Sequence, residues 1–440
     1  MAYLTRILGN FLEKTTETRP LVYLNGMRQC GKTTLALNLQ ITKKINYTTF
    51  DNPASLSFAK KDPSGFIEQL PQNMLNIMDE VQLCPELFRY LKIAIDKKRH
   101  NNKVESFFLL TGSANIFALP KLADALVGRM SVLTLFPLSA SEIKGTGINF
   151  VDKLWSDNLS PRKYQRTDLV RIISDATFPE IAINRKIDRF LWFNDYLTTM
   201  LQRDVRVLAD IKNPDNIYQL LVSLSQRAGS LLNNANIMKE TGLDAKTYEK
   251  YKVLCNSTFL TFEMPSWAKP NKLDKRFVRQ KKLYFTDTNL LCHIMQRSMD
   301  EINKNDNTVM GHIFENFIAA EIMKAAKSRG PLNVSHFNPV QNQGNEVDFV
   351  IEDPRGETIA VEVKLAGTIN EKDWSSMLVL QETIGNKFKK GVVIYTGSEL
   401  IQLSRKIWAV PVNYLWENEE LYPEKTASSR TYQRPIIQRY

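Results

Sequence analysis

In the first 150 residues, short apolar runs alternate with stretches that have helical periodicity. An apolar run of four to six residues is the usual length of a buried strand. The predicted strands are Leu21–Leu24, Leu75–Met78, Phe107–Leu110 and Ser131–Leu135. Ahead of them, one helical stripe predicts a docking helix: Leu4, Ile7, Leu8, Phe11 and Leu12. Strands that alternate with helices favour a mostly parallel sheet, so residues 1–150 are predicted to form an α/β domain.

The pattern changes between residues 151 and 265. Residues 151–216 are helical in periodicity and are predicted to form a helical lid or linker, with one long helix over 191–210. Residues 217–265 predict a helix over 217–228 and a short helix over 236–240 that Asn233 or Asn234 could cap. A turn at 241–243, another helix capped by Asp244 and a strand at Phe259–Phe262 are predicted to follow. Helices followed by a β-ribbon resemble a winged helix. Such modules bind DNA, and they also serve as protein-docking units, so both partners stay open.

The last part of the chain predicts a second α/β unit. Residues 266–282 are predicted to form a basic linker, residues 283–417 a folded domain, and residues 418–440 a polar, basic and flexible tail. Within the domain, helical periodicity covers 311–324 and 374–381, and an apolar run at 391–395 predicts a buried strand. The strands Val347–Ile351 and Ile359–Lys364 flank a turn at Asp353–Gly356, which predicts a β-hairpin.

The loop after the first predicted strand matches G-x-x-x-x-G-K-[ST], a phosphate-binding pattern. Its glycines let backbone N–H groups face phosphates at a helix N-terminus. Lys32 is expected to reach the β- and γ-phosphates, and the Thr33 hydroxyl to ligate Mg²⁺. The predicted nucleotide-binding residues of this loop are Gly26, Met27, Arg28, Gln29, Cys30, Gly31, Lys32, Thr33 and Thr34. ATP and Mg²⁺ are therefore the expected cofactors.

Polar residues follow two other predicted strands. Asp79 and Glu80 come after the strand at 75–78, where Asp79 can hold magnesium and Glu80 can polarise the attacking water. Ser113, in Thr111-Gly112-Ser113, is a candidate to hydrogen-bond that water or the γ-phosphate. For these hydroxyls, an ordinary strand that ends in turn residues is an equally good interpretation.

Three arginines are candidates to complete the nucleotide site. Arg129 precedes the fourth predicted strand and is expected to act as an arginine finger or γ-phosphate sensor. Arg203 and Arg206 lie on the long helix, from which they could reach the nucleotide of a neighbouring subunit. A homo-oligomer with ATP at the subunit edge is predicted. The competing interpretation is that these arginines form surface ion pairs.

The C-terminal hairpin carries charges on apolar strands. Glu362 and Lys364 are two residues apart and share one face, and Asp348 on the preceding strand can join them. Glu346 shares the face of Asp348 by alternation, and Glu315 could contribute from the helix. Two acids around Mg²⁺ or Mn²⁺ with a lysine beside the water suit phosphodiester hydrolysis, so Asp348 and Glu362 are predicted metal ligands. A salt-bridged edge strand without metal is the alternative.

Charge and composition add a partner and a compartment. The 440 residues carry a formal net charge of +11, which favours a polyanionic partner. The excess is concentrated in one segment: Lys269, Lys272, Lys275, Arg276, Arg279, Lys281 and Lys282. Interleaved aromatics could stack on bases: Trp267, Phe277, Tyr284 and Phe285. DNA, branched or single-stranded, is the expected partner, against a solvated interdomain linker.

Cysteine usage and hydropathy fit an intracellular, non-membrane protein. The four cysteines lie far apart and form no metal-ligand spacing, which favours a reducing cytoplasm. No apolar run approaches the length of a membrane span, so no membrane association is predicted.

The motifs together resemble the AAA-type ATPases of bacteria and archaea that carry a C-terminal domain of unknown function. The phosphate loop, Asp79-Glu80, Leu110-Thr111-Gly112-Ser113-Ala114 and Gly128-Arg129 resemble the ATPase part. The C-terminal part resembles the restriction-endonuclease-like PD-(D/E)xK superfamily through Gly311–Asn316, Tyr284–Thr288, Glu346-Val347-Asp348 and Glu362-Val363-Lys364. This resemblance implies catalytic or metal positions at Glu315, Asp348, Glu362, Lys364 and Gln381. The proline-aspartate pair of the superfamily is missing, since Asn345-Glu346-Val347 precedes Asp348.

We therefore expect a cytoplasmic ATPase that hydrolyses ATP, engages DNA and carries a nuclease-like C-terminal domain. The alternatives are a regulatory or scaffolding ATPase with an inert nuclease fold, and a signalling switch whose partner is a protein. Whether the C-terminal domain is a metal-dependent endonuclease stays open at this stage.

Overall fold

The computed structural model describes residues 3–99, 107–113, 126, 128–156, 158–208, 215–269, 279–338 and 346–417. The side chains of residues 99, 203–208 and 215 lie outside this description, as does the predicted tail at 418–440. No helix in the described ranges is long and apolar enough to cross a membrane.

Five parallel strands form the N-terminal sheet in the order β2-β3-β4-β1-β5. They are β1 (Leu21–Gly26), β2 (Ile45–Thr49), β3 (Leu75–Asp79), β4 (Phe108–Gly112) and β5 (Met130–Leu135). The predicted parallel α/β core is confirmed. The strand β2 is an edge strand with partly exposed residues, so it lacks the apolar run that marked the other four.

The sheet is buried on both faces, as its continuous apolar strands require. Val22 and Leu24 of β1 pack into one apolar cluster, and Leu21 and Tyr23 pack into another on the opposite face. The flanking helices are α1 (Gly9–Thr18), α2 (Lys32–Leu37), α3 (Pro53–Lys61), α4 (Pro63–Glu68) and α5 (Leu87–Arg99). The predicted docking helix corresponds to α1, which begins at Gly9, after the first three residues of the predicted stripe.

The segment predicted to be helical is confirmed as helical, with one short strand, β6 (Arg162–Lys163), inside it. The short helix α6 (Ala140–Ile143) precedes this segment, whose own helices are α7 (Phe150–Ser156), α8 (Leu169–Asp175), α9 (Pro179–Ile183) and α10 (Arg189–Leu208). The long helix α10 lies within two residues of its predicted bounds. Its amphipathic character explains this, because Phe193, Leu197 and Met200 recur on one buried stripe.

Three helices and a two-stranded antiparallel sheet follow. They are α11 (Asp215–Ser225), α12 (Asn234–Thr241), α13 (Ala245–Ser257), β7 (Thr261–Met264) and β8 (Lys282–Phe285). The Asp244 carboxylate accepts hydrogen bonds from the N–H groups of Lys246 and Thr247 at 3.0 Å, so the predicted cap is confirmed. We call residues 215–285 the helix–ribbon unit. The division proposed at residue 282 cuts through this ribbon, because β8 pairs with β7.

The C-terminal unit is a mixed sheet with helices. Its helices are α14 (Thr288–Ile294), α15 (Met299–Asn305), α16 (Asn307–Lys327) and α17 (Ser375–Ile384). Its strands are β9 (Asn333–Phe337), β10 (Val347–Glu352), β11 (Thr358–Lys364), β12 (Phe388–Tyr395), β13 (Glu399–Gln402) and β14 (Ile407–Pro411). The order is β6-β13-β14-β12-β11-β10-β9, with β10 and β11 antiparallel as predicted and β11, β12 and β14 mutually parallel.

Buried polar contacts join the C-terminal unit to the N-terminal domain through α16. The Glu321 carboxylate accepts a 3.0 Å hydrogen bond from the N–H of Ala140. Lys324 Nζ donates to the carbonyl oxygen of Leu138 at 2.9 Å and pairs with Glu321 at 2.8 Å. Apolar residues from both units belong to one continuous cluster. Helix α16 is therefore packed directly against the segment that leaves β5.

Candidate functional site

The phosphate loop lies between β1 and α2, and its backbone depends on two glycines. Gly26 has a φ of +147°, and a Cβ built on it would lie 2.1 Å from the carbonyl oxygen of Leu135. Gly31 has a φ of +95° and precedes α2, which begins at Lys32. Gln29 also has positive φ, at 59°. This curled backbone leads into a helix N-terminus, which is the geometry that binds phosphate.

Lys32 points into the hollow of this loop. Its Nζ donates to the carbonyl oxygens of Gly26 at 3.1 Å and of Met27 at 2.7 Å, and its side chain is almost fully buried. A lysine ammonium held by neutral carbonyls keeps its full charge available for an anion. The position supports the predicted role of Lys32 toward the β- and γ-phosphates.

Arg6, a buried arginine that the sequence analysis did not identify, hydrogen-bonds to the backbone of the phosphate loop. Arg6 Nη1 donates to the carbonyl oxygen of Cys30 at 2.8 Å, and Nη2 donates to that of Phe136 at 2.6 Å. Its Nε lies 3.1 Å from Glu142 Oε1. The sequence signal that could have identified Arg6 is its place as a single arginine within the apolar docking stripe. Because Phe136 follows β5, Arg6 fixes the loop relative to the sheet.

Asp79 is the point where three strands and the loop helix meet. Its Oδ2 accepts a 2.8 Å hydrogen bond from Thr33 Oγ1 and a 2.9 Å hydrogen bond from Tyr47. Its Oδ1 accepts hydrogen bonds from Thr111 Oγ1 and, at 3.2 Å, from the N–H of Glu80. Burial and the charge of Asp79 raise the pKa of Tyr47 to about 12, so this phenol remains a donor. Tyr47 lies on β2, the strand that the apolar pattern did not mark.

Glu80 follows in a left-handed conformation, with φ 56° and ψ 41°. Its carboxylate accepts a hydrogen bond from Gln82 Nε2, which also donates to Ser113 Oγ at 3.2 Å. The structure therefore brings the predicted Glu80 and Ser113 to one edge of the sheet through Gln82, which the sequence analysis did not identify. The turn at Glu80 aims its side chain into the cavity described next.

A cavity of about 730 Å³ opens above the loop. The loop side supplies Arg28, Gln29, Gly31, Lys32, Thr33, Thr34 and Glu80, and the helical segment supplies Pro179, Glu180, Trp192, Asp195, Tyr196, Thr199 and Met200. The rings of Trp192 and Tyr196 stack with centroids 5.2 Å apart and an 8° interplanar angle. Trp192 Nε1 donates to Glu180 at 3.0 Å, which fixes the indole. The volume and mixed lining are typical of a small-molecule site.

Arg129 does not reach the nucleotide site of its own chain, and its predicted role as an arginine finger toward a neighbouring subunit stays a prediction. Residues of β5 pair with β1 in parallel, with Met130 opposite Leu21 and Leu135 opposite Gly26. Arg129 therefore lies at the amino edge of the sheet, five to six residues from the phosphate loop. Its guanidinium makes two hydrogen bonds to Asp96, at 2.7 and 3.0 Å. The side chains of Arg203 and Arg206 lie outside the described residues.

The C-terminal residues predicted to converge do converge. Lys364 Nζ pairs with Glu362 Oε1 at 2.7 Å, as expected for residues that share a strand face. Asp348 Oδ2 accepts a 3.0 Å hydrogen bond from the N–H of Val363, and Glu362 Oε2 accepts one from the N–H of Asp348 at 3.3 Å. In the described part of the chain, no hydrogen bond joins Gln381 to these groups.

A lysine from outside the hairpin enters this cluster. Lys282 Nζ lies 3.0 Å from Glu315 Oε1, 2.5 Å from Glu346 Oε1 and 3.1 Å from Asp348 Oδ1. Burial alone would lower the pKa of Lys282, but Tyr284 and the carboxylates around it raise that pKa well above its ordinary value. Burial, followed by the charge of Asp348, raises the pKa of both Glu315 and Glu362.

This placement corrects the predicted DNA-binding segment. Lys282 is buried rather than solvent-facing, and Trp267, Tyr284 and Phe285 are buried at 5% exposure or less. These aromatics pack inside the protein because they lie on or beside paired strands, so they cannot stack on bases. Lys272, Lys275, Arg276 and Phe277 lie outside the described residues, so that part of the prediction stays untested.

The two predicted metal sites differ in how well their residues fit a metal. At the phosphate loop, the Thr33 hydroxyl and the Asp79 carboxylate face one another at 2.8 Å beside the cavity, which fits Mg²⁺. At the C-terminal cluster, a lysine ammonium lies among the acids. Across the described ranges, no group of three or more His, Cys, Asp or Glu side chains is arranged to hold a metal. The C-terminal residues therefore do not fit the predicted divalent ion.

Three parts of the chain match known family models. Residues 18–144 match the family model described as an AAA domain. Residues 166–301 and 310–415 match two models, each described as a domain of unknown function, DUF8612 and DUF4143. With the loop geometry, the first match shows that the chain contains an AAA-type P-loop ATPase domain.

Two curated proteins are similar to this chain over most of its length. Uncharacterized proteins of Mycobacterium tuberculosis and Mycobacterium bovis are 25% identical over 408 residues, which cover 92% of this chain and 82% of each relative. Among solved structures, a Walker-type ATPase of Pyrococcus abyssi has a TM-score of 0.38 and 12% identity, covering 65% of this chain and 94% of that one. A RuvB variant of Thermotoga maritima has a TM-score of 0.27 and 19% identity, covering 59% and 87%.

Proposed function

We propose that this protein binds and hydrolyses Mg·ATP in the cavity between the phosphate loop and α10. The convergence of Lys32, Thr33, Asp79 and Glu80 on one edge of the sheet carries this proposal. Lys32 stabilises the charge that develops on the transferred phosphoryl group. Thr33 and Asp79 would hold the magnesium ion, which neutralises phosphate charge when it is bound. Glu80 accepts a proton from the attacking water.

The helical segment completes the site by binding the nucleoside. Trp192 and Tyr196 present an apolar, stacked surface across the cavity from the phosphate loop. An aromatic surface suits a purine ring, while Asp195 and Thr199 supply polar groups at the same wall. Helix α10 precedes the helix–ribbon unit in the chain and lines the cavity. A nucleotide that binds to α10 would therefore contact both the ATPase core and the helix next to that unit.

We further propose that the helix–ribbon and C-terminal units bind a partner rather than cut one. The order of α16, the antiparallel strands β9 to β11, α17 and the parallel strand β12 supports a nuclease-like fold. The three helices and ribbon of residues 215–285 support a winged helix. With the net charge of +11, DNA is the favoured partner, in a cytoplasmic homo-oligomer. A protein partner of a scaffolding ATPase is the second candidate, favoured by the buried aromatics of the basic segment.

The nucleotide proposal is tested with two substitutions and a matched control. Lys32→Ala should abolish ATP binding and turnover. Glu80→Gln should retain binding but lower turnover at least about 100-fold, since general-base catalysis contributes about that much. Lys61→Ala, an exposed lysine of α3, should behave as wild type. Nucleotide titration calorimetry and phosphate release measure these effects, and wild-type turnover by the Lys32→Ala protein would contradict the proposal.

A further inference from the structure

Lys282 is a buried cation in the cluster where the sequence resemblance to PD-(D/E)xK proteins predicted a metal. Its side chain is 4% exposed and lies within 3.1 Å of oxygens from three carboxylates. Fully buried lysines are rare, and removing an ammonium from water costs several kcal/mol unless anions surround it. The three acids come from α16, β10 and the residue before β10. They place three carboxylates around one ammonium.

Several other oxygens of the cluster accept hydrogen bonds from protein donors. Asp348 Oδ2 accepts from the N–H of Val363, and both oxygens of Glu362 accept from Lys364 and the N–H of Asp348. Glu315 Oε1, which faces Lys282, also accepts a 2.8 Å hydrogen bond from Tyr284. A divalent ion ligated by these acids would have to displace several protein donors at once.

Lys282 is held in this position by backbone pairing on both sides. On one side, Lys282 pairs with Met264 of β7. On the other side, Leu283 O accepts a 2.8 Å hydrogen bond from the N–H of Gly229, and Lys281 O accepts one from Leu232 at 2.9 Å. Gly229 itself is packed so closely that an added Cβ would lie 3.3 Å from the Glu315 carboxylate. The backbone of β8 therefore fixes the position of the Lys282 ammonium in the cluster.

We propose that the Lys282 ammonium is the resident cation of the C-terminal acidic cluster, in place of a divalent metal. It joins the helix–ribbon unit to the nuclease-like unit by charge and keeps Mg²⁺ and Mn²⁺ out. Lys364 stays at the rim, 32% exposed and paired with Glu362. This inference does not depend on ATP hydrolysis, because the cluster and the phosphate loop share no residue.

Direct metal binding tests the proposal on the full-length protein without nucleotide. Mn²⁺ binding is followed by electron paramagnetic resonance, and Asp348→Asn identifies the portion that belongs to this cluster. Wild type should show no Asp348-dependent binding at millimolar Mn²⁺. Lys282→Met should gain Asp348-dependent binding, with at least a tenfold lower dissociation constant. Lys281→Met is the matched control, since Lys281 is the exposed neighbour that pairs with Glu263, and it should gain nothing.

Two outcomes would overturn the proposal. One is Mn²⁺ binding by wild type that Asp348→Asn removes, and the other is a folded Lys282→Met protein that gains no such binding. If Lys282→Met does not fold, Lys282→Met/Glu346→Gln removes one charge of each sign and takes its place in the same comparison. The wild-type measurement decides by itself whether a metal already occupies the cluster. Retained ATP hydrolysis in these variants separates this result from a failure of the nucleotide proposal.

Discussion

The Thr33 hydroxyl donates a 2.8 Å hydrogen bond to the Asp79 carboxylate, which joins the first turn of α2 to the carboxyl end of β3. The two residues are 46 positions apart, and each is partly or fully buried at the edge of the cavity. Their contact shows that the phosphate loop and the acidic strand end form one site. It also identifies the pair of oxygens that would face magnesium.

The first prediction concerns this pair. Asp79→Asn keeps an oxygen that can accept from Thr33 and Tyr47 but removes the negative charge. The ratio of the ATP dissociation constants without and with Mg²⁺ measures how much the ion strengthens binding. We expect this ratio to be at least about tenfold smaller in the variant than in wild type, which corresponds to about 1.4 kcal/mol. Titration of ATP with and without Mg²⁺ measures this difference. An unchanged magnesium dependence would place the metal elsewhere. The melting temperature serves as the control for folding.

The second prediction concerns the nucleoside wall. Trp192→Ala removes the ring that stacks on Tyr196, and we expect KM for ATP to rise about fivefold while kcat changes little. An aromatic contact contributes about 1 kcal/mol, and its loss affects ground state and transition state alike. Trp192→Phe should recover most of the affinity. A variant with unchanged KM would show that the base binds away from α10.

The third prediction separates the basic segment into two groups. Arg279 Nη1 donates to the carbonyl oxygens of Trp267 and Asn338 at 3.5 and 3.4 Å, and Lys281 pairs with Glu263 at 2.7 Å. Charge reversal of Lys275 and Arg276 should weaken DNA binding and reduce the slope of log affinity against log salt by about 0.9 per lost contact on duplex DNA. Charge reversal of Arg279 and Lys281 should change affinity and slope less, because both side chains already have partners within the protein. If neither pair changes affinity or slope, the protein-partner alternative is favoured.

The fourth prediction is a pH dependence of stability that comes from His336. This imidazole is 1% exposed, and burial, followed by the charge of Lys282, lowers its pKa to about 4. The unfolded chain binds the proton near pH 6.5, so it holds more protons than the native state between pH 6.5 and about 4. Stability should therefore fall as the pH falls through that window.

The loss from His336 approaches about 3 kcal/mol at the low end of the window. Urea unfolding of wild type and His336→Gln at pH 7 and pH 4.5 measures it. The variant should lose less stability than wild type across this interval. Equal losses would show that the native imidazole accepts its proton at the ordinary pH.

The sequence by itself determined the ATPase half of this protein. The phosphate loop, the buried strands around it and the acidic pair at 79–80 are local patterns, because a loop backbone, a strand period and a helix cap are each set by neighbouring residues. The same holds for the C-terminal hairpin, where alternation alone placed Glu362 and Lys364 on one face. The edge strand β2 escaped detection because partial exposure leaves it without an apolar run.

Only the tertiary structure decided which distant groups meet. Strand register placed Arg129 at the edge of the sheet opposite the phosphate loop, and no local pattern encodes that register. Arg6 reaches the carbonyl of Cys30 and Tyr47 reaches Asp79 through packing between separate elements. Lys282 looked like one lysine in a basic run, yet pairing of β8 with β7 carries it into a cluster of acids up to 66 residues away. A charge run describes composition, whereas burial and ion pairing depend on the whole fold, which is why the sequence predicted a solvent-facing lysine and the structure has an internal cation.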